Sequence, residues 1–396
     1  MAVYWTIAIL TVLINLYPLK KQRDYTVRLI VSLIPLFLYG AFRVDFGLDY
    51  KEYENFYNGV KVLGREADES FEIGYYYLNL TLSSFRSLLV FQTVLLCTAY
   101  YFLFKWYIPA KWAWLGFILL FLNGPQTIFF MLSGIRNGIA ISIFILSSYF
   151  IYKRKIIPFT ILIFIAYFFH QSVVLFAPAA YLIVNYISFN KKTLYIWLFI
   201  MLFFSIASNT IDLDYINLLV EQYFDRYNIY IENAMEEGQG AGLLIKIFSF
   251  IATFLLLLNV KYIKYEVMNI KNYNNKKKER VEKEVISTSN STKKKRIVLF
   301  SAIKEKYIII LAKDRMITKM NMFFFLAFIL GSLNLRMSQY FVSFFIVGIV
   351  MVMWKSSNRI FKYAYLVLIF MYLIYSFVIW VLNPFFSYSS YESILF

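Results

Sequence analysis

Long apolar runs recur along almost the whole chain, and they limit its fold more than any other feature. A membrane helix needs about 20 mostly apolar residues, and runs of roughly this length occur about twelve times. The predicted spans are 3–19, 25–41, 85–104, 112–131, 134–152, 156–170, 172–188, 194–209, 243–261, 319–335, 337–354 and 361–382. Since 61% of the residues are hydrophobic and only 16% are charged, a water-soluble globule could not bury this surface. We therefore predict an all-α integral membrane protein, a polytopic bundle of about twelve transmembrane helices forming one domain over residues 1–396.

Basic residues in the connections predict which side of the membrane each loop occupies. Short Lys/Arg clusters follow every second predicted span, starting with the first, so all of them fall on one side, which we assign to the cytoplasm. Both termini are then expected outside. The two long outer loops, 42–84 and 210–242, are acidic, whereas the cytoplasmic loop 262–318 carries most of the net charge of +17 and is expected to be partly disordered. This pattern indicates topology and contact with membrane lipid, and we expect no nucleic-acid partner.

Four ionisable side chains occur at the outer ends of predicted spans: Arg43, Arg136, His170 and Arg336. Positive charge on this side opposes the usual orientation rule and therefore indicates an anionic ligand. A guanidinium matches phosphate oxygens with two parallel hydrogen bonds, so we predict that Arg136 and Arg336 bind a lipid-linked phosphate or pyrophosphate, with Arg43 as a third contact. Each residue also has a structural interpretation, because arginines pair with loop acids or reach lipid headgroups, and a lone histidine often serves only in packing.

The general base is left open between His170, Asp45 and Asp49. An imidazole changes charge near neutral pH, so His170 is a candidate base or a further phosphate donor. Asp45 and Asp49 are four residues apart and on a helix would share one face, where a carboxylate could deprotonate a sugar hydroxyl. A solvated loop that turns at Gly47 is the alternative.

Tyrosines are frequent in the outer loops. They could stack on sugar rings, but an interfacial aromatic belt is the interpretation we favour for most of them. These tyrosines are Tyr50, Tyr53, Tyr57, Tyr75, Tyr76, Tyr77, Tyr223, Tyr227 and Tyr230.

The sequence indicates neither a metal nor a nucleotide site. A single His and a single Cys exclude a His-rich or thiolate metal centre. The sequence has no Walker loop, dinucleotide fingerprint or nucleophile elbow. We predict a reaction without metal or cofactor, in which arginines neutralise the phosphate charge.

Five short motifs together resemble the EpsG-like proteins. Residues 42–53 resemble the "R…G-x-D-Y-x-x-Y" signature after the second span, and 71–75 resemble the "E-x-G" element that follows it. Residues 133–140 resemble "R-Q-G-hydrophobic-A", with Asn137 where Gln is more usual. Residues 166–172 are similar to "A…F-H-x-S", and 335–341 to a late "R-x-x-x-Y" element. The resemblance covers the whole chain, and it adds Tyr53 and Tyr340 to the expected substrate-binding residues.

This family overlaps the Wzy polymerases of O-antigen, capsule and exopolysaccharide assembly, so the resemblance implies an activity. Such proteins join repeat units carried on undecaprenyl pyrophosphate, at the outer face of the bacterial cytoplasmic membrane, and polyprenyl pyrophosphate leaves. The resemblance further implies a fold of the lipid-linked glycosyltransferase kind, and a chain-length regulator and a flippase as functional partners. A surface-glycan ligase and a transporter of the lipid-linked unit, which would not be an enzyme, remain alternatives.

Overall fold

In a computed structural model, most of the described residues are helical. The described residues are 1–17, 22–62, 71–187, 195–196, 199–200, 313–324, 335–355, 359–382 and 392–393. The helices are α1 (Ala2–Leu16), α2 (Gln22–Ala41), α3 (Tyr50–Val62), α4 (Ile73–Thr81), α5 (Phe85–Tyr107), α6 (Ala113–Leu122), α7 (Ile128–Ser133), α8 (Ile135–Tyr152), α9 (Ile156–Tyr167), α10 (Val173–Tyr186), α11 (313–324), α12 (Leu335–Lys355) and α13 (Arg359–Leu382). Two short 3-10 turns, Ala110–Trp112 and Gly124–Gln126, precede α6 and α7.

Five of these helices are long and apolar enough to cross a membrane, and this confirms a helical membrane protein. They contain the segments Asp24–Ala41, Phe85–Tyr107, Ile135–Tyr152, Ser338–Lys355 and Lys362–Ile379. Three shorter apolar helices, α1, α9 and α10, match further predicted spans. The count of about twelve stays a prediction, because predicted span 243–261 and most of 194–209 and 319–335 lie outside the described residues.

The predicted span 112–131 is broken next to Pro125. The segments Ala110–Leu122 and Gly124–Ser133 meet at an angle of 77°. Pro125 has no N–H to continue the helix, and Gly124 leaves no room for a Cβ, which would overlap the Tyr4 hydroxyl. That hydroxyl donates a hydrogen bond of 2.5 Å to the Phe121 carbonyl, so α1 satisfies a backbone group that the break sets free.

The predicted outer loop 42–84 contains two helices, α3 and α4, and much of it packs into the protein. On α3 the buried positions Tyr50, Tyr53, Phe56, Tyr57 and Val60 follow helical spacing. The Tyr75 ring, on α4, is stacked with Phe56 at 5.7 Å. Burial of Tyr50, Tyr53, Tyr57 and Tyr75 argues against an aromatic belt at these positions, whereas Tyr77 is exposed, and stacking of any of them on sugar stays a prediction.

Two strands bring distant parts of the chain together. β1 (Arg43–Val44) pairs antiparallel with β2 (Glu392–Ser393), with Arg43 opposite Ser393 and Val44 opposite Glu392. The start of the outer loop and a segment beyond α13 therefore lie on the same side of the protein.

The end of the predicted cytoplasmic loop 262–318 is helical, since residues 313–318 belong to α11. On α11, the Lys319 ammonium donates to the carbonyls of Val184 and Ile187 at 2.7 and 2.5 Å, which places positive charge at the C-terminus of α10. Asp314, also on α11, forms an ion pair with Lys355 of α12. The rest of this loop, like the outer loop 210–242, lies outside the described residues.

Candidate functional site

The Glu72 carboxylate joins two of the side chains that the sequence predicts for the site. One of its oxygens forms an ion pair with Nη1 of Arg136, and the other lies 3.2 Å from Nδ1 of His170. Glu72 directly precedes α4, Arg136 is in the first turn of α8, and His170 is between α9 and α10. The side chains of Glu72, Arg136 and His170 are 12%, 21% and 10% exposed, so the cluster is largely buried.

A close backbone contact holds Glu72 beside the histidine. The Gly74 N–H donates a hydrogen bond of 2.9 Å to the Phe168 carbonyl, which joins the first turn of α4 to the turn between α9 and α10. A Cβ at Gly74 would lie 2.6 Å from that carbonyl oxygen, so only glycine allows this approach. The "E-x-G" pattern therefore has a physical reason, because the glycine lets the glutamate reach the histidine.

Aromatic rings position the Arg136 guanidinium. Its central carbon lies 4.4 Å from the Phe71 ring and 5.8 Å from the Tyr53 ring. An arginine over aromatic faces is attracted to them and loses orientational freedom. Tyr53 is itself buried, and its ring is 5.5 Å from Tyr75. The contacts of Tyr53 therefore favour positioning of Arg136, and its predicted contact with substrate stays a prediction.

The electrostatics of the cluster keep Glu72 ionised. Burial alone raises the pKa of this carboxyl, but the hydrogen bond from His170 and the positive charge of Arg136 outweigh it and lower the pKa to about 2. Glu72 is therefore a carboxylate at any physiological pH. It can orient the imidazole through Nδ1 and hold the guanidinium in place.

Tyr340 lies next to the same turn. A hydrogen bond of 3.0 Å joins its hydroxyl to that of Ser172, two residues after His170, and its ring packs edge-on against Phe144 at 5.6 Å. Arg336 is in the first turn of α12, one helical turn before Tyr340. The position of its side chain is outside what the structure describes, so its role stays a prediction.

Arg43 is completely buried, and its guanidinium contacts protein groups. It donates to the carbonyls of Gly40 and Leu132 and to the Gln92 side chain, the last two at 2.8 and 2.5 Å. Gln92 in turn donates to the Met131 carbonyl. These bonds connect α2, α5 and the end of α7, two residues before α8 begins. The geometry favours a structural role for Arg43, which holds these three helices together next to the start of α8. Direct contact of Arg43 with substrate stays a prediction.

Asp45 and Asp49 do not share a helix face, so that prediction is wrong and the alternative, a turn at Gly47, is confirmed. Asp45 has a φ of 45° and Gly47 a φ of 85°, and α3 begins only at Tyr50. A Cβ at Gly47 would overlap the Ser133 side chain, so the turn packs against the end of α7. The Asp45 carboxylate is half exposed and lies 3.1 Å from the Lys51 ammonium. The structure does not bring Asp45 to His170 and Arg136, and the role of either aspartate as base stays untested.

Among the described residues, no group of three or more His, Cys, Asp or Glu side chains is arranged to hold a metal ion. Cys97 is a free thiol on α5.

Glu72 is the site residue that the sequence interpretation missed. It counted only as one of eight acids in loop 42–84 and as part of the "E-x-G" resemblance. The signal that could have identified Glu72 is the glutamate–glycine spacing of the "E-x-G" element in the outer loop. Arg136 and His170 were already expected on the same outer face.

Comparison with known proteins supports the resemblance. The EpsG family model matches residues 25–393, which includes all five motifs and every residue of the cluster. No curated protein and no solved structure matches the chain. Because the matched region extends over most of the sequence, this chain belongs to the EpsG family.

Proposed function

We propose that this chain is a polysaccharide polymerase of the bacterial cytoplasmic membrane. It joins oligosaccharide repeat units carried on undecaprenyl pyrophosphate at the outer face, and polyprenyl pyrophosphate is the leaving group. Family membership supports polymer assembly in general. The observation that carries the specific proposal is the Glu72 bridge, because it sets a guanidinium and an imidazole side by side in a partly buried site.

Arg136 stabilises the departing pyrophosphate. The reaction builds negative charge on the leaving group, and a fixed guanidinium in a water-poor site stabilises such charge strongly. Only Nη1 of Arg136 contacts Glu72, and within the described ranges its buried Nε has no acceptor. An arginine has five N–H donors, so it keeps donors for phosphate oxygens while Glu72 and the Phe71 ring fix its orientation.

His170 acts as the general base. With Nδ1–H donated to the Glu72 carboxylate, the neutral imidazole carries its acceptor lone pair on Nε2. Nε2 takes the proton from the acceptor sugar's hydroxyl while that oxygen bonds to the donor's anomeric carbon. The bond from this carbon to the pyrophosphate breaks, and its electron pair leaves with the pyrophosphate. His170 is preferred to Asp45, whose half-exposed carboxylate contacts Lys51.

Arg336 and Tyr340 provide a second contact to the lipid-linked substrate. The support is their place on α12, where Tyr340 bonds to Ser172 beside His170 and Arg336 comes one helical turn earlier. A second guanidinium would share the two negative phosphates with Arg136.

Complementation of a deletion strain tests this function. We expect Arg136→Ala to lower polymerisation about 100-fold or more, whereas Arg359→Ala, an exposed arginine at the start of α13, keeps near wild-type activity. A gel of surface glycan should show single repeat units on the final anchor in the deletion strain. Polymer held on the lipid carrier would indicate a ligase, and single units trapped in the inner leaflet would indicate a transporter. Full-length glycan from Arg136→Ala would refute the site.

A further inference from the structure

The Glu72–Arg136–His170 cluster lies at the end of a helical hairpin that is too short to cross a bilayer. α9 has 12 residues and α10 has 14, which correspond to about 18 Å and 21 Å of helix. The hydrocarbon core of a bilayer is about 30 Å thick. Helix α5, with 23 residues, is about 35 Å long and does reach across it. The turn that carries His170 is therefore recessed relative to the ends of longer helices.

The recess is on the outer side. Lys153, Arg154 and Lys155 come directly before α9, and in the proposed orientation they mark the inner headgroups. A helix of about 18 Å that starts there ends roughly 10 Å below the outer edge of the hydrocarbon core. A short helix also thins the bilayer around it. Lipid tails then approach the cluster from the side.

An uninterrupted apolar stripe runs along α9 up to this turn. Ile157, Ile161 and Phe164 follow helical spacing and are 72%, 55% and 59% exposed. Beyond the turn, the exposed apolar side chains continue with Leu175 at the start of α10. On the α4 side, Ile73 is exposed directly beside Glu72, and Gly74 is bonded to the turn through Phe168. The charged cluster thus lies at the upper end of an apolar surface that faces the membrane.

We infer that the lipid-linked substrate enters this site sideways from the bilayer, with its isoprenoid tail along the Ile157–Ile161–Phe164 stripe of α9 and its pyrophosphate at Arg136. This inference rests on the proposed function. Charge complementarity selects this occupant over bulk lipid, because Arg136 holds an anionic headgroup at one end of the stripe and so restrains the attached tail beside α9. The isoprenoid tail is no more apolar than other lipid tails, so tethering at Arg136 makes it prefer α9 over other lipid-facing helices, and the apolar side chains of the stripe then keep it in contact with α9.

Photo-crosslinking of the full-length protein in nanodiscs of phosphatidylethanolamine and phosphatidylglycerol tests the inference. The probe is a polyprenyl pyrophosphate with a diazirine in its tail, and the matched control is the same diazirine polyprenol without pyrophosphate. We expect the pyrophosphate probe to label the α9 stripe about tenfold more than the exposed positions Val367, Met371 and Ile374 of α13, as expected for a tethered tail. The polyprenol should label both helices to a similar extent.

Two further measurements separate failure of the inference from failure of the proposed function. We expect excess inorganic pyrophosphate, and separately the Arg136→Ala variant, to remove the enrichment on α9. If the pyrophosphate probe labels α9 and α13 equally while pyrophosphate binding still depends on Arg136, sideways docking is overturned and the proposed site stays intact. Pyrophosphate binding that is the same in wild type and Arg136→Ala would overturn both.

Substitutions on the stripe give an independent readout. Ile157→Ser combined with Ile161→Ser should reduce α9 labelling several-fold while inorganic pyrophosphate binds as in wild type, because both side chains are exposed on α9 and lie before the turn that carries the cluster. Val367→Ser with Ile374→Ser on α13 is the matched control and should leave labelling of α9 unchanged. Unchanged labelling in the α9 double variant would contradict the inference.

Discussion

At the scale of single residues, the two contacts of Glu72 determine how the site responds to substitution. Glu72→Gln keeps the shape of the side chain but removes the charge that holds Arg136 and orients His170. We expect polymerisation to fall about 10- to 100-fold, by analogy with carboxylates that orient metal-bound histidines. Rates measured with purified protein and lipid-linked substrate check this. Wild-type rates in Glu72→Gln would show that the bridge is not needed.

The depressed pKa of Glu72 predicts how acid affects stability. The pKa in the folded protein, about 2, lies below its ordinary value of 4.5. The carboxylate therefore stabilises the folded protein at every pH above about 4.5, and this contribution is lost as the pH falls toward 2. In detergent, wild type should melt several degrees above Glu72→Gln at pH 6, and the gap should narrow from pH 4.5 downward. Asp45→Asn, at a half-exposed acid, should change the melting temperature much less. A gap that stays constant down to pH 3 would contradict the prediction.

Substitution of Arg43 gives a second test at the scale of single residues, because a structural role and a role in substrate binding predict different results. A lysine cannot reproduce the guanidinium fork that contacts Gly40, Leu132 and Gln92, so Arg43→Lys should lower the melting temperature clearly and lower activity as a consequence. A substrate contact would instead show a raised KM at an unchanged melting temperature. Thermal unfolding and kinetics on the same sample distinguish the two.

At the scale of secondary-structure elements, the approach of α4 to the α9–α10 turn is the contact that assembles the site. Gly74→Ala places a methyl group against the Phe168 carbonyl, so α4 must shift and carry Glu72 away from His170. We expect reduced activity together with a lower melting temperature. Gly134→Ala is the matched control, since its Cβ would have ordinary contacts, the nearest at 3.5 Å. Equal activity of Gly74→Ala and wild type would show that this contact does not position Glu72.

The apolar runs were sufficient to predict most elements, because a bilayer demands long hydrophobic segments. The predicted spans 134–152 and 361–382 end within a few residues of α8 and α13. The 77° angle of the break next to Pro125 could not be predicted, because the residues on both sides remain apolar and tertiary contacts such as that of Tyr4 stabilise the bend. Helix α3 was missed because its aromatic spacing was attributed to a belt, although the same spacing fits an amphipathic helix.

The site itself could be predicted only in part. The rule that positive charge is unusual on the outer side singled out Arg136 and His170. The partner that joins them, Glu72, is far from both along the chain and was one of many loop acids. Nothing local distinguishes such a residue, because its role depends on how α4 packs. Arg43 was singled out by the same rule as Arg136, yet its side chain points into the protein, which only the packing of α2, α5 and α7 determines.

At the scale of the whole molecule, the proposed orientation makes a prediction about access. In a Cys97→Ser background, Asp45→Cys should react with a membrane-impermeant maleimide on intact cells, because this half-exposed position lies in the predicted outer loop that also contains Glu72. Lys155→Cys, which is exposed at the start of α9, should react only after the membrane is permeabilised. The opposite pattern would place the cluster on the cytoplasmic side and refute polymerisation at the outer face.

The pairing of β1 with β2 has a consequence for how the protein is made. Arg43 and Val44 leave the ribosome early, whereas their partners Ser393 and Glu392 emerge only after α13 has been synthesised. Until then the edge of β1 has unpaired backbone groups at the membrane surface, where another chain could add to it. A message truncated before β2 would therefore produce a chain that contains Glu72, Arg136 and His170 but exposes this open edge. We expect such a chain to associate with other chains through this edge more readily than the finished protein does.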